Sequence, residues 1–149
     1  MVERFESDGC VLFTGHVMDA LAVIEDKSVQ MIATSPPYYG LRDYGVKGQI
    51  GLESTPQEYV QRIVEIMREC RRVLRDDGIM WFNIGDSFAG SGKGRRANGT
   101  HQGGGKQGTN RGTIEGSLTK TSAPGYKNKD LIGIPWMCAF ALREFGCLS

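Results

Sequence analysis

The sequence predicts an α/β fold in three layers around a mostly parallel sheet. Two short, almost unbroken apolar runs, residues 29–33 (VQMIA) and 79–84 (IMWFNI), have the character of parallel strands covered on both faces. Between them lies a helix with a clear start, so strand, helix and strand follow one another as parallel pairing requires. A chain of 149 residues with 40% hydrophobic content is one domain's worth and has enough apolar material for a core.

Taken in order, residues 11–14 read as a first short strand, Gly15 as its end, and residues 17–24 as a helix running into the turn Asp26-Lys27-Ser28. His16, at the head of that helix, is either a solvated loop residue or a ligand contact. The second strand begins at Val29 and must end at Pro36-Pro37, because proline has no N–H for further ladder pairing and restricts the residue before it. Gly40 to Gly51 is a glycine-bounded loop in which Arg42 or Lys47 can meet phosphate. Thr55-Pro56-Gln57-Glu58 is a capping box with proline at the first helical position, and Tyr59, Ile63, Ile66, Met67, Cys70, Val73 and Leu74 then recur at helical spacing. Asp76-Asp77-Gly78 is expected to end that helix before the strand near residue 80. Gly85-Asp86-Ser87 follows at the strand's carboxyl end, with Asp86 either bonding a base or cofactor hydroxyl or capping the loop. A last helix starts near Pro135 and closes at Gly146, and its apolar residues on most sides predict burial.

Thr34-Ser35-Pro36-Pro37-Tyr38 joins a hydrogen-bond acceptor, a rigid turn and an aromatic face at the carboxyl end of a strand, the edge where open α/β sheets bind ligands. Such a set suits chemistry on an exocyclic amine. The nitrogen's lone pair is delocalised into its ring, and two acceptors aimed at its hydrogens help it pyramidalise; Ser35 Oγ and the Pro36 carbonyl are the candidates, with Pro37 stiffening the chain. Tyr38, with Tyr39, can stack on an extruded base. The plainer alternative is a strand-ending turn with a packed tyrosine.

The segment resembles the (Ser/Asn/Asp)-Pro-Pro-(Tyr/Phe) signature of the amino-methylating DNA methyltransferases. Its Thr-Ser-Pro-Pro-Tyr form is most similar to the N4-cytosine branch; adenine N6 remains the alternative, since Ala33 stands where that pattern has a large aliphatic residue. Asp130-Leu131-Ile132-Gly133-Ile134-Pro135-Trp136 is also similar to a family segment that precedes a helix beside the base pocket, which makes Trp136 either a pocket wall or a core residue. The resemblance runs from about Leu12 to Gly146. It implies a Rossmann-like methyltransferase fold, S-adenosylmethionine as cofactor, double-stranded DNA as partner, and Ser35, Pro36, Pro37 and Tyr38 as the catalytic set.

Phe88-Ala89-Gly90-Ser91-Gly92 has the FxGxG form of a cofactor loop, making Asp86, Phe88, Gly90 and Gly92 candidates, but the residues after it are hostile to the helix such a loop should open. The resembling family keeps its own such segment far C-terminal, after further strands. The chain therefore looks like the N-terminal part of such an enzyme, completed by a C-terminal half or a partner chain. From Gly90 to Gly125 there are eleven glycines, six basic residues and the single acid Glu115. This segment cannot build a core, and its charge favours a phosphate backbone, with Lys93, Arg95, Arg96, Lys106 and Arg111 as candidate contacts. A nucleic-acid-binding module, with the proline motif structural, is the reading from another class.

Net charge of +1 offers no global nucleic-acid signal. Cys10, Cys70, Cys138 and Cys147 form no CxxC pair and have no histidine at ligand spacing, so structural thiols and no metal are expected. No run approaches the roughly 20 apolar residues of a membrane span, and the N-terminus lacks a signal pattern, which predicts a cytoplasmic protein.

Overall fold

The computed structural model describes residues 2–90 and 123–146. In chain order these form β1 (Glu3–Ser7), β2 (Cys10–Thr14), α1 (Val17–Ala22), β3 (Val29–Thr34), α2 (Pro56–Val73), β4 (Leu74–Phe82) and α3 (Ile134–Glu144). β3 and β4 pair in parallel, Met31 opposite Ile79 and Thr34 opposite Phe82, with α2 as the connection. This is the strand–helix–strand unit that the two apolar runs predict.

α2 organises the described core. Its start is fixed as expected: Thr55 Oγ1 accepts the Glu58 N–H at 3.2 Å, the Glu58 carboxylate accepts the Thr55 N–H at 3.2 Å, and Pro56 follows the cap. Tyr59, Ile63, Ile66, Met67, Cys70 and Val73 are buried on one face, packed with Leu21 of α1 and with Ile134, Cys138 and Leu142 of α3. Each fully buried aliphatic side chain of this kind contributes about 1.5–3 kcal/mol.

Four expectations are corrected. Residues 11–14 do not open the parallel sheet; β2 pairs antiparallel with β1, Glu3 opposite Thr14, in a separate two-stranded sheet. The cause is the turn Asp8-Gly9, whose φ values of 50° and 76° suit a two-residue hairpin. Asp76-Asp77-Gly78 does not end the helix. α2 stops at Val73, Leu74 turns extended, and β4 runs through 76–78 because the ladder continues past a register shift, Val29 opposite Leu74 and Met31 opposite Ile79. Lys27 ties this irregular stretch down, its N–H donating to the Arg72 carbonyl at 3.0 Å and its ammonium meeting Asp76 at 2.7 Å.

β4 is not covered on both faces. Met80 and Phe82 pack toward the core, whereas Ile79 and Trp81, with Met31 of β3, are 60%, 67% and 60% exposed. Alternation along a strand sends these residues to the face opposite α2. Nor is α3 buried all round: Ile134, Cys138 and Leu142 form a single buried stripe at helical spacing, while Trp136 and Phe140 are exposed. The described residues thus hold an α/β unit with a parallel strand pair and helices against one of its faces. No described helix is long and apolar enough to cross a membrane.

Candidate active site

The end of β3 delivers the proline motif to the sheet edge. The Asn83 N–H donates to the Thr34 carbonyl at 2.9 Å, carrying the ladder one step past β4, and Ser35 then leaves the strand exposed to solvent. Among the described residues neither Ser35 Oγ nor the Pro36 carbonyl has a hydrogen-bond partner. Two hollows meet at Ser35. One, of about 550 Å³, lies beside Ala33, Thr34, Trp81, Phe82 and Asn83. The other, of about 530 Å³, is an apolar cleft between β3, α1 and α2 that also reaches Ser35, Pro36 and Pro37.

The loop behind Ser35 is braced from below. Tyr59 donates its hydroxyl to the Pro37 carbonyl at 2.9 Å, and the Ser87 hydroxyl donates to the Tyr39 carbonyl. Gly40 N–H donates to the Gly51 carbonyl at 2.7 Å. The Tyr38 ring lies on Gly85 so closely that a Cβ there would come within 2.6 Å of it, so only glycine admits the ring in that place. Tyr39 is 1% exposed and its ring packs on that of Tyr59 with centroids 5.5 Å apart. Burial, with Glu53 and Glu58 adding to it, pushes the Tyr39 phenol up to about 12. The expected stacking of Tyr39 on a base is therefore corrected: its ring belongs to the core, and Tyr38 is the aromatic left at the edge.

The remaining candidates are dispersed. Arg42 sits over the Tyr44 ring at 5.7 Å in the glycine-bounded loop and lines neither hollow. Trp136 is 70% exposed on α3 and lines neither of these two hollows, so it is not a core residue. Lys93, Arg95, Arg96, Lys106, Arg111 and Gly92 lie outside the described residues. Asp86 is a helix cap. Its carboxylate accepts the N–H groups of Gly133 at 3.0 Å and Ile134 at 2.9 Å, supplying from a distance the acceptor that Gly133 cannot give α3. His16 is likewise a cap, Nδ1 accepting the Met18 N–H at 3.2 Å at the start of α1.

Phe88 and Gly90 are candidates for holding S-adenosylmethionine, and their surroundings do not fit it. Phe88 bridges Leu131; between them, the Ala89 N–H donates to the Asp130 carbonyl at 2.9 Å and the Ala89 carbonyl accepts the Lys129 N–H at 2.8 Å. A Cβ on Gly90 would meet the Asn128 side-chain oxygen, so the room that glycine leaves is filled by the chain itself. Among the described residues no group of three or more His, Cys, Asp or Glu stands close enough to hold a metal ion.

Sequence reasoning does not single out Tyr59, Gly85 or Ser87 as parts of the site. Tyr59 reads there as one more apolar position of an amphipathic helix, and nothing local says where its hydroxyl ends. Gly85 beside a strand end is the one available signal, since a strand glycine often marks close approach of another group.

The model of the N6/N4 methyltransferase family, described as DNA methylase, matches residues 29–144. The chain is 44% identical over 145 residues to the type II methyltransferase M.Cfr9I of Citrobacter freundii, covering 97% of this chain and 45% of that protein. It is 39% identical over 137 residues to the type II methyltransferase M.SmaI of Serratia marcescens, covering 92% and 44%. Over 80 residues it is 52% identical to the type II methyltransferase M.MwoI of Methanothermobacter wolfeii, covering 54% and 12%. The chain spans less than half the length of these curated relatives. No solved structure matches it. With the strand-end proline motif inside the matched region and the match extending through β3, α2, β4 and α3, the chain belongs to the N6/N4 DNA methylase family.

Proposed function

We propose that this chain forms the base-binding part of an S-adenosylmethionine-dependent DNA methyltransferase acting on the exocyclic amine of an extruded base, with cytosine N4 as the target and adenine N6 as the alternative. The observation that carries this reading is the exposed Ser35 hydroxyl beside the Pro36 carbonyl at the end of β3, both unengaged among the described residues. Each accepts one hydrogen of the amine, drawing the lone pair out of conjugation and aligning the nitrogen for in-line attack. Tyr38 stacks on the base, its ring seated on Gly85. No general base is required of Ser35, because the amine becomes acidic once methylated. S-adenosylmethionine, when bound, supplies the methyl group; Phe88 and Gly90 do not fit it, and the role of Ser35, Pro36 and Tyr38 is toward the base.

The same reading extends the β3–β4 pair into a full three-layer sheet. The bare face at Met31, Ile79 and Trp81 is where a second helical layer would pack. The cleft along β3 is where further strands would, in keeping with relatives more than twice as long as this chain. Double-stranded DNA is the partner that goes with this chemistry.

The test is transfer of tritium from methyl-labelled S-adenosylmethionine to mixed-sequence DNA, followed by digestion and chromatography of the nucleosides. Label in N4-methylcytosine is the expected result, and label in N6-methyladenine reassigns the target. A folded chain that transfers no label and takes up no cofactor in a calorimetric titration is not a methyltransferase by itself.

A further inference from the structure

We propose that Tyr59 is a positioning residue for the acceptor pair at Ser35 and Pro36, acting through the Pro37 carbonyl; this rests on the base-binding reading above. The direction of the Pro36 carbonyl relative to the Pro37 carbonyl depends on the two backbone dihedrals of Pro37. The ring closes φ near about −65°, which leaves ψ as the one soft variable. Tyr59 removes it: the hydroxyl donates to the Pro37 carbonyl oxygen at 2.9 Å and holds that peptide plane. With both dihedrals held, the Pro36 carbonyl has one direction.

The donor is held in place from two sides, and the loop it addresses is backed from a third. Tyr59 lies in the first turn of α2, which the Thr55–Glu58 capping box locks. Its ring is 0% exposed and packs on Tyr39, whose carbonyl is in turn held by Ser87. Gly51 backs the loop so closely that a Cβ there would come within 2.9 Å of the Tyr38 carbonyl and 3.4 Å of the Pro37 side chain, so the loop cannot swing away from the phenol. Burial also pushes the phenol well above its ordinary range, so it stays protonated and remains a donor. A phenylalanine would fill the same space in the core; only the hydroxyl addresses the loop.

The decisive experiment is Tyr59→Phe in the full chain, read first by the carbonyl carbon resonances of Pro36 and Pro37 with carbonyl-13C proline, and second by steady-state methyl transfer. Shifted or exchange-broadened Pro36 and Pro37 carbonyl signals are expected in a variant whose circular dichroism matches the parent. With them goes a kcat lowered roughly tenfold at unchanged KM for DNA, as expected when orientation is lost and binding is kept. A folded Tyr59→Phe chain with an unmoved Pro36 carbonyl signal overturns the positioning role. Thr55→Ala, which loosens the turn carrying Tyr59 without touching the phenol, is the second variant and should move the same signal by a smaller amount; an unmoved signal there, should Tyr59→Phe not fold, is equally fatal. A parent chain with no methyl transfer is not a methyltransferase by itself, and the carbonyl signals still decide the positioning role without turnover.

Discussion

Two short motifs lie at the carboxyl ends of neighbouring strands, and they have opposite fates. Thr34 to Tyr38 leaves β3 with the Ser35 hydroxyl and the Pro36 carbonyl open to a ligand, while its other groups are held by Asn83, Tyr59 and Gly85. Phe88 to Gly90 follows β4 with the form of a cofactor loop, yet Ala89 is joined to Lys129 and Asp130 by main-chain hydrogen bonds, Phe88 bridges Leu131, and Asn128 fills the space over Gly90. A motif is a site only where its polar groups are left unengaged and its supports are not. Composition cannot separate the two cases, because the groups that engage Phe88–Gly90 come from Asn128 to Leu131, far along the chain.

The sharpest way to break this comparison is Ser35→Ala. The side chain is exposed and supports no described contact, so stability should hold while methyl transfer falls on the order of a hundredfold or more, as when one preorganised polar group is removed from a reaction centre. Parallel thermal unfolding and transfer assays check it, and an active enzyme indifferent to the change would sink the assignment.

On the other motif the effect should fall on stability. Gly90→Ala places a Cβ at φ 66° against Asn128, and a loss of about 1–3 kcal/mol is expected in denaturant unfolding. If instead Gly90 serves a ligand, cofactor affinity would fall with stability unchanged. Asp86→Ala comes next, costing about 0.5–2 kcal/mol by leaving the first N–H groups of α3 without their acceptor, and hydrogen exchange at Gly133 and Ile134 should speed up.

The supports also share a pH dependence. Burial raises the Cys138 thiol to about 11 from 9.0 and the Tyr39 phenol to about 12 from 10.0. Both groups are neutral when protonated, and the unfolded chain loses their protons first. Their contribution is therefore complete below about pH 9 and declines as pH rises from about 9 to about 12, which unfolding curves across that range would follow. Iodoacetamide at neutral pH should label exposed Cys10 ahead of buried Cys70 and Cys138.

Much of the helical framework was legible. The capping box of α2 was, because its residues satisfy one another locally; so was the end of β3, because proline forbids its continuation. Residues 76–78 misled, since Asp-Asp-Gly is a good helix stop and a poor strand. They entered β4 because a neighbouring strand offered a ladder. Burial on both faces at 79–84 was inferred from apolarity alone, which tells what a face prefers and not what covers it.

The sequence by itself determined the strand-end location of Ser35, the order of β3, α2 and β4, and family membership, all of which rest on short-range chemistry or contiguous similarity. Only the tertiary structure decided that Tyr39 is core and Tyr38 is edge, that Asp86 caps a helix 48 residues away, and that Tyr59 ends on the Pro37 carbonyl. Each of those depends on where a polar atom finds its partner across a fold, and a buried donor or acceptor takes the partner that packing brings to it.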